Sequence, residues 1–341
     1  MNKKSAFLYL LLFGILTTIN AQTIEVLAGR DAVSLRGLSV VDDKVIWASG
    51  SSGMVARSVD SGKTWKWMQV PGFEKADFRD IEAFDAVTAI IMAIAEPAYI
   101  LKTHDGGNTW RRVFVDDRKG MFLDAMEFWN EESGIVIGDP IDGKIFVART
   151  FDNGETWQAL PNNNLPVGET GEAMFASSGT NIRTTSLSEA AFVTGGTKAR
   201  FFFHNEKIDL PLMQGKETTG ANSLAAYHNK KRKPARHMVT VGGNFAADTV
   251  TTGNCAISAD GGKTWAIPQT SPHGYRSCVE YITEKKLITC GTSGVDISTD
   301  GGMNWQLISN ESFHVCRKAK KGNSIFLAGK DGRIAKLLWN K

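Results

Sequence analysis

One octapeptide recurs five times along the chain. The copies are Ser58-Val-Asp60-Ser-Gly62-Lys-Thr64-Trp65, Thr103-His-Asp105-Gly-Gly107-Asn-Thr109-Trp110, Thr150-Phe-Asp152-Asn-Gly154-Glu-Thr156-Trp157, Ser258-Ala-Asp260-Gly-Gly262-Lys-Thr264-Trp265 and Ser298-Thr-Asp300-Gly-Gly302-Met-Asn304-Trp305. They follow the pattern S/T-x-D-x-G-x-T-W, from which only Asn304 departs. A unit repeated about every 40 to 50 residues is typical of β-propellers, in which each repeat forms one blade.

The residue types of the octapeptide suit a tight turn between two strands. An Asp carboxylate accepts hydrogen bonds from the backbone of its own turn, and the Gly two residues later permits a positive φ. The β-branched Thr resumes the extended chain, and the Trp ring packs between neighbouring sheets. We therefore interpret Asp60, Asp105, Asp152, Asp260 and Asp300 as structural residues. The alternative, metal ligands or catalytic acids, is disfavoured because the five turns would be spread around a ring.

The spacing of the octapeptides predicts the number of blades. Their aspartates lie 45, 47, 108 and 40 residues apart, so the long interval holds one blade that lacks the octapeptide. We place that blade near residues 190–212, and a further strand pair at residues 324–328 and 332–338 follows the last copy. The sequence thus predicts an all-β, seven-bladed propeller with four short strands in each blade.

The last blade runs out of chain after its third strand. The segment Thr23-Ile-Glu-Val-Leu27 precedes the first blade and has no partner there. We expect it to supply the missing outer strand and to close the ring, which removes the open sheet edges that favour aggregation.

The first 21 residues have the features of a secretory signal peptide. Lys3 and Lys4 precede an apolar run from Ala6 to Leu16, and the segment ends at Ala21. We predict cleavage before Gln22, a secreted or periplasmic protein, and one propeller domain over residues 22–341. A membrane anchor is the alternative, but the run is short for a bilayer. We expect no transmembrane segment in the mature chain, and a monomer.

The net charge and the cysteine spacing bear on whether the chain binds nucleic acid, a metal or a cofactor. The formal net charge of +3 falls to +1 once Lys3 and Lys4 are removed, which gives no electrostatic case for nucleic acid. The four cysteines form no C-x-x-C, so neither a metal nor a cofactor is expected. Cys278 and Cys290 should face each other across a hairpin. They would form a disulfide in an oxidising compartment, or else be small buried apolar residues; both readings stay open.

Blade alignment places polar residues at one mouth of the central channel, opposite the octapeptide turns. At the starts of the innermost strands the ligand-binding candidates are Arg36, Arg79, Asp80, Arg276 and His314. The candidate carboxyls for catalysis are Glu96, Asp124, Asp139 and Glu172. Ligands of propellers commonly bind at this mouth, although these residues could equally satisfy one another.

The octapeptide is similar to the Asp-box, and the chain resembles the BNR/Asp-box repeat superfamily of β-propellers. Segments such as Asp77-Phe-Arg-Asp-Ile81, Gly138-Asp-Pro-Ile-Asp-Gly143 and Gly171-Glu-Ala-Met-Phe-Ala-Ser177 resemble blade signatures of its secreted bacterial "oxidoreductases" and photosystem II stability and assembly factors. The superfamily also includes sialidases, to which the resemblance extends only at the level of fold. Leu35-Arg36-Gly37 lacks the Ile-Pro that sialidases carry, and Tyr275 has no evident Glu partner. No strand–G-x-G-x-x-G–helix supports redox chemistry.

Two functions of different classes follow. The first is a non-catalytic binding or assembly module that takes a protein, glycan or small ligand at the channel mouth. The alternative is a glycoside hydrolase, in which two carboxyls among Glu96, Asp124, Asp139 and Glu172 act as a pair and the arginines orient an anionic sugar. A structural protein of the cell surface is a third, minor interpretation.

Overall fold

The computed structural model describes residues 22–228 and 233–339. Its strands form seven antiparallel sheets, and the only helical elements among these residues are two single-turn 3₁₀ segments. The innermost strands of consecutive sheets contact each other, and the seventh contacts the first. The predicted seven-bladed propeller is therefore confirmed. The predicted signal peptide lies outside the described residues.

The first three blades have the four-stranded form expected from the sequence. Each apolar innermost strand is followed by two more buried strands and an exposed outer one, because the blades pack face to face around the ring. The strands are β2 (Leu35–Val40), β3 (Ile46–Gly50), β4 (Met54–Ser58) and β5 (Lys66–Gln69) in blade 1; β6 (Phe78–Ala83), β7 (Ala89–Ala93), β8 (Ala98–Thr103) and β9 (Arg111–Asp116) in blade 2; and β10 (Leu123–Phe128), β11 (Gly134–Ile141), β12 (Lys144–Thr150) and β13 (Gln158–Ala159) in blade 3.

Blades 4 and 5 occupy the long interval between octapeptides. Blade 4 contains β15 (Ile182–Thr184), β16 (Ala190–Val193), β18 (Arg200–Phe203) and β19 (Glu206–Asp209); blade 5 contains β14 (Glu172–Ala173), β17 (Gly195–Gly196), β20 (Thr219–Tyr227), β21 (His237–Asn244) and β22 (Cys255–Ser258). A two-residue turn joins β18 to β19 where other blades have the octapeptide. Blade 5 departs from the four-strand prediction, because its outer strand is reduced to a bridge between Ile257 and Ala266.

The N-terminal segment closes the ring in blade 7. Blade 6 contains β23 (Cys278–Tyr281), β24 (Leu287–Gly291), β25 (Gly294–Ser298) and β26 (Gln306–Ser309); blade 7 contains β27 (Val315–Lys318), β28 (Ile325–Ala328), β29 (Ile334–Leu338) and β1 (Thr23–Ala28). Strand β1 pairs antiparallel with β29, and Leu27 packs against the core shared by blades 1, 6 and 7. The prediction that the segment from Thr23 supplies the outer strand is confirmed.

The five octapeptides form the same turn, which we call the box turn. In the turn at Asp260, the carboxylate accepts hydrogen bonds from Ser258 Oγ at 2.8 Å, Thr264 N at 3.0 Å and Thr264 Oγ1 at 2.7 Å. In the fifth turn, Asn304 Nδ2 donates to Asp300 Oδ2 at 2.8 Å and so replaces the Thr hydroxyl. These hydrogen bonds lower the pKa of Asp60, Asp105 and Asp260 to about 2, the Thr hydroxyl contributing most.

Candidate functional site

The central channel has two mouths. The box turns lie at the end where the innermost strands finish, since Ser61 N donates to Lys44 O, Gly106 N to Val87 O and Asn153 N to Glu132 O, each acceptor being in the first hairpin turn of its own blade. We call this end the box mouth. The other end, where the innermost strands begin, is the opposite mouth.

Bulges at the opposite mouth direct side chains into the channel. The pairing register shifts between Leu35 and Gly37, Phe78 and Asp80, Leu123 and Ala125, and Ala221 and Ser223. The residues left unpaired are Arg36, Arg79, Asp124 and Asn222. A β-bulge inserts an extra residue and changes the direction of its side chain. The same bulge recurs in four blades, which explains why these four polar residues occupy equivalent positions.

Two arginines at this mouth each have one recorded side-chain contact. Arg36 Nη1 donates to Ser177 O at 3.3 Å, and Arg79 Nε pairs with Asp77 at 2.8 Å while its side chain remains 27% exposed. Burial and the nearby charge of Arg79 lower the pKa of Arg36. The pKa of buried His314 falls to about 3, chiefly by burial and then by Arg36 and Arg79, so this imidazole is neutral at pH 7. Of these two neighbouring guanidinium groups, only that of Arg79 therefore has a carboxylate partner.

Aromatic side chains continue this surface. Phe245 is 46% exposed and lies edge-on to Phe175 at 5.7 Å and to Tyr275 at 6.2 Å. Tyr275 Oη donates to Asn222 Oδ1 at 2.8 Å, and Ser177 Oγ donates to the same oxygen at 2.7 Å. A hydrogen-bonded chain thus links the aromatic group to the carbonyl that Arg36 contacts.

The structure does not bring Arg276 to this surface, contrary to the sequence prediction. Arg276 is 0% exposed, and its guanidinium is held by Asp296, Ser293 Oγ and the carbonyls of Tyr275 and His273. Arg276 has the same position in blade 6 as the core residue Leu35 has in blade 1. A Cβ added to Gly50 would meet the Cα of Leu35, and a Cβ added to Gly291 would likewise meet the Cα of Arg276. The channel position equivalent to Arg36 belongs to Ser277.

Asp80 is likewise a buried structural residue. Its carboxylate accepts from Ile81 N at 2.8 Å and from Met126 N of the next blade at 2.7 Å. Burial raises its pKa well above the usual range. It therefore joins blades 2 and 3, whereas the predicted ligand contact would require an exposed side chain.

The four candidate carboxyls do not form an open pair. Glu172 is buried and bonded to Arg200 and Thr194, while Glu96 is exposed and accepts from Gly120 N at 2.6 Å. Asp124 is fully buried, and neither of its oxygens has a hydrogen-bond partner. Burial and the charge of half-buried Asp139 raise the pKa of Asp124, and burial raises that of Asp139 to about 6. No glycoside could reach Asp124 or Glu172 in this arrangement.

A segment of blade 4 crosses the channel between the two mouths. We call residues 175–181 the plug. Ser178 Oγ donates to Ser277 O of blade 6 at 2.7 Å, Gly179 O accepts from Arg317 of blade 7 at 3.3 Å, and Ser177 O contacts Arg36 of blade 1. The blade alignment placed Glu172 at the channel mouth, but the innermost strand of blade 4 begins only at Ile182 because the plug precedes it.

Sequence reasoning missed a charged cluster at the box mouth. Three residues after the channel-facing positions 79, 124, 277 and 314 stand Glu82, Glu127, Glu280 and Arg317. With Arg183 of blade 4 they line a cavity of about 490 Å³, whose wall includes Trp129, Tyr227 and Tyr281. Counting three residues along each predicted innermost strand would have found four of these five residues.

The predicted opposition of Cys278 and Cys290 is present. The two are register partners across β23 and β24, and both are buried free thiols, as are Cys255 and Cys316. The disulfide is thus absent from the structure. In the described ranges no group of three or more His, Cys, Asp or Glu side chains is arranged to hold a metal, and no helix there is long and apolar enough to cross a bilayer.

Comparison with known proteins identifies the fold. No family model matches the chain, and no curated protein matches it. The solved structure described as YCF48 bound to D1 peptide is similar over 94% of this chain and 96% of its own, with 16% identity and a TM-score of 0.65. YCF48 from Cyanidioschyzon merolae matches at 14% identity over 92% of this chain and 98% of its own, with a TM-score of 0.65. The Neurospora crassa Pan2 WD40 domain matches at 11% identity over 92% and 90%, with a TM-score of 0.60.

Proposed function

We propose that this chain is an exported, non-catalytic binding or assembly module that docks an acidic segment of a partner protein at the opposite mouth. The observation that carries the proposal is the adjacency of Arg36 and Arg79. Each guanidinium makes one weak or partly exposed contact, and the charge of Arg79 disfavours that of Arg36. A carboxylate from a partner would relieve this repulsion and take charge-assisted hydrogen bonds from both arginines.

The aromatic group beside the arginines supports a protein partner over a small one. Arg and aromatic side chains dominate the binding energy of protein interfaces, and Phe245 offers exposed apolar area next to Phe175. A structure of the same fold holds a D1 peptide, which also favours a peptide segment as ligand. Asp124 and Glu172 are buried and Glu96 accepts a hydrogen bond from Gly120 N, so the geometry favours binding over glycoside hydrolysis.

Binding is tested with the chain beginning at Gln22 and an array of acidic, neutral and basic peptides of matched length. Acidic peptides should be retained selectively. Their affinity in solution should fall with added salt, because the Debye screening length shortens to about 3 Å at 1 M salt and the attraction between exposed charges weakens. Arg36→Gln combined with Arg79→Gln should weaken binding by about tenfold or more. Arg112→Gln, an exposed arginine of the outer strand β9, is the matched control. Equal retention of all peptides, or an unaffected double variant, would refute the proposal.

Export is tested separately. The leader predicted at residues 1–21 should be removed, so N-terminal sequencing of protein recovered outside the cytoplasm should begin at Gln22. Recovery of the chain only from the cytoplasm, with Met1 retained, would refute export while leaving the binding proposal intact.

A further inference from the structure

The box mouth holds a second concave site, separated from the first by the plug. Its cavity of about 490 Å³ is in the size range of small-molecule sites. Gly179 O of the plug accepts from Arg317, one of the lining residues, so the plug lies next to this cavity. Trp129, Tyr227 and Tyr281 lie along the wall, and the rings of the two tyrosines are 5.4 Å apart.

Arg183 is a buried charged group of this cavity, and one of its nitrogens lacks a hydrogen-bond partner. The residue is 7% exposed, and its Nη2 has no hydrogen-bond partner, although Nη1 contacts Glu127 at 3.3 Å. Arg183 Nη2 and Arg317 Nη1 both lie 3.6 Å from Glu280 Oε2, which is too long for a direct hydrogen bond. Two guanidinium groups therefore converge on Glu280 without a direct hydrogen bond to it, and Arg183 Nη2 can take a further acceptor.

Two other acidic residues of the cavity are already paired. Glu82 accepts from Lys320 Nζ, and Glu127 is bonded to Arg183 and Thr184. Burial raises the pKa of Glu280 to about 8, with Cys278 and Glu127 adding to the rise and Arg183 and Lys318 opposing it. Glu280 is thus largely protonated at pH 7 and able to donate a hydrogen bond. The cavity therefore offers an anion two guanidinium groups and a carboxylic acid.

We propose that the box-mouth cavity is a distinct binding site for a small organic carboxylate with an apolar body. The ligand carboxylate lies between Arg183 and Arg317 and accepts hydrogen bonds from Arg183 Nη2 and from Glu280. The apolar body packs against Trp129, Tyr227 and Tyr281. The planar fork of an arginine matches a carboxylate, and the aromatic wall removes the rest of the ligand from water.

Calorimetric titration of the chain from Gln22 with phenylacetate, indole-3-acetate and hexanoate tests the site. At least one should bind with a Kd below about 1 mM, and phenylacetamide, which lacks the charge, should bind at least about tenfold more weakly than phenylacetate. Arg317→Gln and Arg183→Gln should each weaken binding about tenfold or more. Arg79→Gln, at the opposite mouth, should have no effect, which separates this site from the peptide site. Absence of binding by all three acids, or equal binding of the amide, overturns the proposal.

The pH dependence gives a readout that a purely structural role would not produce. As the pH rises through about 8, Glu280 loses its proton, repels the ligand and competes for Arg183 and Arg317, so affinity should fall by up to about tenfold per pH unit. Glu280→Gln keeps a neutral donor and cannot lose it. This variant should bind as the parent does at pH 7 and show no loss at pH 9. If Glu280→Gln lost affinity between pH 7 and pH 9 as the parent does, or bound more weakly than the parent at pH 7, the role assigned to Glu280 would be contradicted.

Discussion

Truncation of Glu172 should destabilise the propeller severely. Its side chain is 0% exposed and accepts four hydrogen bonds: from Arg200 Nε at 2.9 Å, Arg200 Nη2, Thr194 Oγ1 at 2.5 Å and Glu169 N at 2.8 Å. Glu172→Ala leaves the Arg200 guanidinium, itself 8% exposed, with only the exposed Glu169 as ionic partner. Removal of one member of a buried ion pair costs about 3–5 kcal/mol.

Graded variants separate the charge from the shape. Glu172→Gln keeps the side-chain volume but weakens charged hydrogen bonds, so it should cost about 1.5–3 kcal/mol. Combining Glu172→Leu with Arg200→Met removes both charges and should recover most of the loss, because an apolar pair can replace a buried ion pair at little cost. Glu169→Gln, on a side chain 54% exposed, is the control and should cost less than about 1 kcal/mol.

Urea unfolding followed by tryptophan fluorescence measures these differences. The order of stability should be parent, Glu169→Gln, Glu172→Gln and Glu172→Ala, with the double variant above Glu172→Ala. If Glu172→Ala costs no more than Glu169→Gln, the carboxyl is not the structural anchor that the geometry indicates, and its availability for chemistry must be reconsidered.

Three further predictions concern the opposite mouth and the ring closure. Arg79→Gln should leave the free energy of unfolding unchanged or raise it by up to about 1 kcal/mol, because it relieves the repulsion with Arg36 and removes only the partly exposed ion pair with Asp77. A decrease in the free energy of unfolding of more than about 2 kcal/mol, measured by urea unfolding, would contradict this. Asp139→Asn should stabilise the fold by about 3 kcal/mol at pH 8 and have little effect at pH 4, because a carboxyl whose pKa rises from 3.8 to about 6 on folding opposes folding only once it ionises. Thermal unfolding of the parent and the variant at both pH values measures this, and an equal change in Tm at the two pH values would disprove it. Deletion of residues 22–28 should expose the edge of β29 and cause concentration-dependent association in light scattering, whereas a stable monomer would rule out closure by β1.

The ring could be predicted from the sequence because its determinants are local. Each box turn depends on residues at most four apart, and the even spacing of Asp60, Asp105 and Asp152 reports the blade period. The missing outer strand followed from an unpaired segment at Thr23. Such features need no knowledge of which side chains meet across the channel.

The channel could not be predicted as well, because it depends on register and on an insertion. Leu35 and Gly50, Leu123 and Gly138, and Arg276 and Gly291 are each 15 residues apart, and this interval would have placed Arg276 in the core. Residues 175–181 form the plug, and the innermost strand β15 of blade 4 begins only after them. The role of Glu280 depends on Arg183 and Arg317, which belong to two other blades. These residues are far apart in the sequence and lie near Glu280 only in the closed ring.

Hydrogen–deuterium exchange in the presence of the tightest-binding acidic peptide shows which surface of the propeller docks the partner. If the opposite mouth is the docking surface, backbone protection should appear at residues 34–37, 77–80 and 243–247, around Arg36, Arg79 and Phe245. The outer strands β5 and β9 should exchange as they do in the free protein. Protection confined to outer strands or to the box turns, with those three segments unchanged, would contradict docking at this mouth.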